Sequence, residues 1–303
     1  MSTPPIGSKA IGSESGAPTS AGPATDRLTL AISPCPNDTF AFHALIHGLI
    51  PGAPAVSTTF ADIDVLNARA ADGRDDLVKV SYAALPWLLD RYSLLSAGSA
   101  LGRGCGPLVL TAGRTDLRGA SVAIPGTRTT AYLLFRLWAE QLGVGSTSVV
   151  PFDQIMPAVR DGQYDAGLVI HESRFTYPSY GLTAVADLGD WWEGRTGLPI
   201  PLGAILARRE LDTSALAAAV RASVAAAFAD RAASASFVIE HAQEMAPEVV
   251  DAHVELYVND FTLDLGDEGF TAVRELLGRA AAAGLVPELP AGALMATALA
   301  TDG

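Results

Sequence analysis

IPLGAILARR, residues 200–209, is the last stretch of the chain that reads as a strand, and it decides the architecture. Its apolar centre, 203–207, is too short for a helix and runs into two arginines. Beyond Leu211 only helical patterns occur, near 212–231, 233–246, 248–258 and 267–283. Before it, short apolar runs alternate with helix-like segments, the mark of an α/β fold. Strands are predicted at 28–32, 57–60, 77–80, 94–97, 107–111, 121–124, 148–150, 166–170, 183–185 and 203–207, and helices at roughly 39–50, 63–72, 82–91, 129–142 and 153–161. GPLVLTAG, residues 106–113, is the matching outward connection, so the chain crosses to a second lobe and returns. The predicted division is a disordered tail over 1–26, a first lobe begun by 27–108, a second lobe over 109–205, and C-terminal helices over 206–303 that return to the first lobe. In such folds ligands bind beyond the carboxyl ends of the strands, here in the cleft between lobes.

Composition narrows the function. With 303 residues, 49% of them hydrophobic, the chain can build two cores. A net charge of −13 opposes approach to nucleic acid or to an anionic membrane surface. No run approaches the ~20 apolar residues of a membrane span. The first 26 residues are rich in Gly, Ser, Pro and Ala and lack an apolar core, which argues against a signal peptide. AISPC, ending at Cys35, mimics a lipoprotein cleavage box but lacks the apolar run before it. A cytoplasmic protein is expected, its two cysteines, Cys35 and Cys105, reduced.

Four strand ends carry polar groups that invite chemistry. SPCPNDTF, residues 33–40, turns a strand into a helix through Asn37, Asp38 and Thr39, which are either plain caps or a cleft wall. Cys35 sits where a helix start would favour a thiolate, but no base adjoins it in sequence, and packing is the simpler role. In LVKVSY, residues 77–82, Lys79 is costly inside an apolar strand unless it meets water or an anion. It either faces outward from an edge strand or, with Ser81, enters the cleft. PGTRTT, residues 125–130, opens a helix with Thr129 and Thr130, either as caps or as an anion cradle that suits a carboxylate. The apolar strand 166–170 ends at His171, a structural histidine or a base that titrates near neutrality.

Other motifs are excluded. His43 and His47 share a helix face, but position 44 is alanine where a zinc protease needs glutamate, so no metal is expected. GRGCGP, residues 102–107, lacks the spacing of a dinucleotide fingerprint, and no cofactor is expected. Trp191 and Trp192 form either a cleft rim or a loop anchor. Nothing in the sequence sets an oligomeric state.

SPCPNDTF, VKVSYAA (78–84), GSALGRGCGPLV (98–109), PGTRTTAY (125–132), AGLVIHESRFTYPSYGL (166–182), DLGDWWEGRTGLPIPLGAILARR (187–209) and DAHVELYVN (251–259) together resemble the 1,4-dihydroxy-6-naphthoate synthases of the futalosine route to menaquinone. The resemblance spans about 27 to 283. It implies a two-lobed fold like the type 2 periplasmic binding proteins. It implies a lyase that breaks carbon–carbon bonds of cyclic dehypoxanthine futalosine without a redox cofactor. It carries the catalytic base onto His171 and substrate contacts onto Lys79, Val80, Ser81, Thr129 and Thr130, with Asn37 as a further polar contact. Chorismate dehydratase, on a similar fold, and a non-catalytic solute-binding protein are the competing readings.

Overall fold

The structure, a computed structural model, describes residues 27–242, 246–290 and 292–294. The tail predicted over 1–26 lies outside the described residues. The chain begins with β1 (Leu28–Ile32), α1 (Pro36–Ile46), β2 (Val56–Phe60), α2 (Ile63–Asp72), β3 (Leu77–Ser81), β4 (Tyr92–Leu94) and β5 (Ala100–Gly102). It continues through β6 (Leu108–Thr111), β7 (Ser121–Ile124), α3 (Thr130–Trp138), β8 (Ser146–Val149), α4 (Phe152–Arg160), β9 (Ala166–Val169), α5 (Ser173–Thr176), β10 (Thr183–Asp187) and α6 (Leu188–Thr196). Strand β11 (Ile200–Arg208) is followed by helices only: α7 (Thr213–Ala229), α8 (Ala235–His241), α9 (Pro247–Tyr257), α10 (Asp260–Leu263) and α11 (Gly266–Ala282).

Two sheets make the two lobes. The first runs β2-β1-β3-β11-β4, with β5 also paired to β11; the second runs β10-β6-β9-β7-β8. In the first sheet β1 is parallel to β2 and β3, and β11 returns antiparallel to β3. Strand β11 already pairs with the first sheet at Ile200, opposite Gly102. The run 200–205, assigned from sequence to the second lobe, therefore lies in the first. The crossover strand is longer than its apolar centre because Ile200 and Leu202 find ladder and packing partners that only the folded chain supplies.

Helices α1 and α7 cover one face of the first sheet, joining Phe42, Leu45, Val220 and Val224 to Leu30, Ile32 and Ile205. The other face shares a continuous core with the second lobe, in which Val78, Tyr82 and Leu206 meet Val109, Val122 and Leu168. Trp192 is fully buried in that core and its indole N–H donates to the carbonyl of Pro199 at 3.0 Å, so it anchors its loop rather than covering the cleft. The helix predicted at 82–91 is a 3-10 turn over Tyr82–Trp87, since Pro86 within it has no N–H to continue an α-helix. Strand β5 and helices α5 and α6 were not evident as elements in the sequence; each is short or carries no apolar period.

Candidate active site

A cavity lies between the lobes. The β1–α1 corner, β3 and β11 wall it on one side, and the start of α3 and the end of β9 on the other. Strand β3 decides the first wall. Side chains alternate along a strand, so Lys79 and Ser81 share one face and line the cavity. Val80, between them, is fully buried on the opposite face among core residues. Any contact of Val80 with a ligand would therefore run through its backbone.

Lys79 is buried on a central strand rather than exposed on an edge, and its ammonium meets the Asp38 carboxylate at 2.5 Å. Glycine at position 203 makes room for it: a Cβ there would stand 2.8 Å from Lys79 Cε. Asp38 is saturated. One oxygen accepts from Lys79 and from Asn37 Nδ2 at 2.9 Å; the other accepts from the hydroxyl of Ser33 at 2.6 Å and its N–H at 3.2 Å. Four donors occupy its two oxygens, which leaves it poorly placed to take a proton from a substrate.

The same bonds determine a histidine tautomer. A carboxylate only accepts, so Asn37 must present its NH₂ to Asp38 and its carbonyl to His253, whose Nε2 lies 3.0 Å away. Nε2 of His253 therefore carries the proton. Its Nδ1 keeps the lone pair, is buried, and has no partner among the described residues. Burial first, then coupling to the neighbouring His171 and the charge of Lys79, keep His253 well below its ordinary pKa. His253, on α9, escaped the residue-by-residue reading because it is a lone histidine in an amphipathic helix, 216 positions from Asn37.

His171 follows β9 by two residues, at φ +53, the left-handed region that a bulky residue seldom adopts. That strain, of order 1–3 kcal/mol, swings the ring off the sheet and into the cavity. The ring stacks on His253, with centroids 6.1 Å apart and planes 7° from parallel, and Phe152 meets it edge-on at 5.5 Å. Burial pushes its pKa down to about 4, with Asp38 opposing and Lys79 reinforcing the shift. The imidazole is neutral near pH 7.

The second wall differs from expectation in one respect. Thr129 caps α3, accepting from Tyr132 N–H at 3.2 Å and donating to Gly126 at 2.9 Å. Thr130 donates to the Leu202 carbonyl at 2.7 Å and accepts from Ala83 N–H at 3.2 Å, tying α3 to the first lobe. Both hydroxyl protons are thus spent within the protein. The donors left at this wall are the N–H groups of Thr130 and Ala131, which open the helix and have no carbonyl within it. Ser81 accepts from Asn67 Nδ2 at 3.1 Å, and its own O–H points to the same cavity. The two helix N–H groups can hold one carboxylate, and the Ser81 O–H is left for a second oxygen.

Cys35 and Cys105 are buried and free. Burial, then Glu172, pushes the Cys35 thiol well above its ordinary pKa, and burial pushes Cys105 up to about 12, so neither is a ready nucleophile. His43 and His47 pack against each other at a tilt, and against Phe237 at a tilt and edge-on respectively, near the surface. Among the described residues no group of three His, Cys, Asp or Glu could hold a metal ion, and no single helix is long and apolar enough to cross a membrane.

Comparison with known proteins agrees with this architecture. The family described as menaquinone biosynthesis matches residues 28–282. The 1,4-dihydroxy-6-naphtoate synthase of Streptomyces coelicolor is 62% identical over 276 residues, covering 89% of this chain and 98% of that protein. The enzyme of the same name from Thermus thermophilus is 50% identical over 270 residues, covering 88% and 98%. Among solved structures, an Archaeoglobus fulgidus protein superposes with a TM-score of 0.82 at 33% identity, covering 87% of this chain and all of that one. The alkanesulfonate-binding protein of Xanthomonas axonopodis superposes with a TM-score of 0.67 at 17% identity over 90% of this chain and 99% of its own, a likeness of fold alone: the two-lobed periplasmic-binding-protein fold. Sequence, fold and cleft agree that the chain belongs to the menaquinone biosynthesis family.

Proposed function

We propose that the chain is a 1,4-dihydroxy-6-naphthoate synthase, a lyase that converts cyclic dehypoxanthine futalosine to 1,4-dihydroxy-6-naphthoate in the cytoplasm. The observation that carries the mechanism is the contrast between two neighbouring groups. Asp38 is saturated by four donors, whereas His171, neutral and aimed into the cavity, accepts no hydrogen bond from the described residues. His171 takes the proton at the sugar-derived portion of the substrate. The pair released from the O–H bond becomes a carbonyl as the adjacent carbon–carbon bond breaks. The electrons of that bond pass through the ring system to an oxygen, and His171 returns its proton there. Aromatisation of the ring system drives the step. Lys79 and the Ser81 O–H stabilise negative charge developing on oxygen. The N–H groups of Thr130 and Ala131 hold the ring carboxylate, with the helix dipole in their favour. As His171 becomes a cation, the parallel face of neutral His253 and the nearby Asp38 charge support it. The hydrogen bond from Asn67 Nδ2 to the Arg128 carbonyl at 3.4 Å and the Arg128 guanidinium over Trp87 at 5.1 Å join the two lobes beside the cleft.

The test is direct. Purified protein is incubated with cyclic dehypoxanthine futalosine and, separately, with chorismate, and products are followed by mass. Formation of 1,4-dihydroxy-6-naphthoate from the first alone is expected. Dehydration of chorismate would establish the competing activity, and tight binding of the first compound without turnover would make the chain a binding protein.

A further inference from the structure

His171 is the wall between two chambers. Beside it lies a second cavity that shares Ser33, Ile63, Ile170 and His171 with the first. Its remaining surface comes from both lobes, with Cys35, Asp62, Asp64 and Val65 on one side and Val149 and Phe152 on the other. The two chambers have opposite polarity. The first offers the N–H groups at the start of α3 and the Ser81 hydroxyl, beside the paired charges of Lys79 and Asp38. The second is lined by no Lys or Arg among the described residues, and Asp62 and Asp64 are part of its lining. A carboxylate is disfavoured there by the acidic, cation-free lining, while an uncharged ligand rich in hydroxyl groups meets the Asp64 carboxylate and apolar walls.

We propose that the second chamber is the subsite for the uncharged polyhydroxyl portion of the substrate. The inference rests on the synthase reading. It orients the substrate in one way only: carboxylate-bearing ring in the first chamber, sugar-derived chain in the second, and the bond to be broken beside His171. The cleaved polyol fragment then leaves past Asp62 and Asp64, while the aromatic product stays on the Ser81 and Thr130 side.

The test fills the second chamber from its rim. Val149 is 56% exposed and Val65 is 48% exposed, so tryptophan at either position is tolerated by the fold while its ring reaches into the chamber. Val149→Trp and Val65→Trp are each expected to raise KM for cyclic dehypoxanthine futalosine by about tenfold or more, while the Kd for 1,4-dihydroxy-6-naphthoate, which needs only the first chamber, stays within about twofold. Unchanged KM in both variants overturns the subsite, as does parallel weakening of substrate and product. A fall in kcat at constant KM also overturns it, by making the chamber an exit channel only. Wild-type protein that neither binds nor turns over the substrate would instead sink the synthase reading, and the subsite with it.

Discussion

The two walls of the cleft are built on opposite plans. On the first-lobe wall Ser33, Asn37, Asp38 and Lys79 spend their polar atoms on one another, within a hydrogen-bond network that ends at His253. On the second-lobe wall the His171 ring and the first N–H groups of α3 are left open to the cavity. Burying a charge demands full compensation, and the first wall supplies it. A group that must exchange protons or hold a ligand cannot be satisfied in advance, and the second wall keeps such groups unspent. One wall is therefore a scaffold, and the other holds the reactive base.

The largest effect is expected from breaking the open wall. Asparagine tolerates the left-handed backbone at position 171 but supplies no base. His171→Asn should lower kcat by roughly 10²–10⁴-fold while the melting temperature stays at or above that of the parent. Near wild-type turnover would make His171 structural and shift attention to Lys79. Breaking the closed wall should show as lost stability in addition to lost turnover, since Lys79 both compensates Asp38 and stabilises charge in the reaction. Lys79→Met leaves Asp38 charged and buried without its cation, at a cost of about 3–5 kcal/mol in denaturant unfolding. The double variant with Asp38→Leu should recover much of that loss, and failure to recover would mean that the network, not the charge, is what the fold needs.

The contact between the walls can be probed by separating its two parts. His253→Phe keeps a ring against His171 but removes the donor to Asn37, for a loss of about 1–3 kcal/mol in stability. His253→Gln restores a donor without the ring, so equal stability in both variants would contradict the tautomer derived above. The ¹⁵N spectrum of the wild-type protein should show Nε2 protonated and Nδ1 unprotonated down to mildly acidic pH.

The smallest effect per step is acid destabilisation. The folded-state pKa of His171 lies below that of the unfolded chain, so the unfolded state binds the proton first. Stability present above about 6.5 should be lost as pH falls towards about 4, by at most about 1.4 kcal/mol per pH unit for this one group. His171→Asn should flatten that part of the profile. An unchanged slope would place the acid-sensitive group elsewhere, with His253 the first to examine.

Much of this molecule is legible in the one-dimensional pattern. Apolar runs bounded by turn residues mark most of the strands, and the absence of such runs after Leu211 separates the helical return from the α/β body. Period-two alternation in LVKVS already puts Lys79 and Ser81 on one face and Val80 on the other. What the pattern cannot carry is partnership across long separations. Asp38 reads as a helix cap, yet no cap hydrogen bond forms from it, because Lys79, 41 positions away, and Ser33 claim the carboxylate. Thr130 reads as a ligand contact, but its hydroxyl is taken by Leu202, 72 positions on. His253 becomes part of the site only when α9 folds back against the β1–α1 corner. Local sequence determines which backbone forms and which face it buries. Which polar atoms are consumed and which remain free is settled only when the lobes close, because a hydrogen bond depends on distance in space and not on position along the chain.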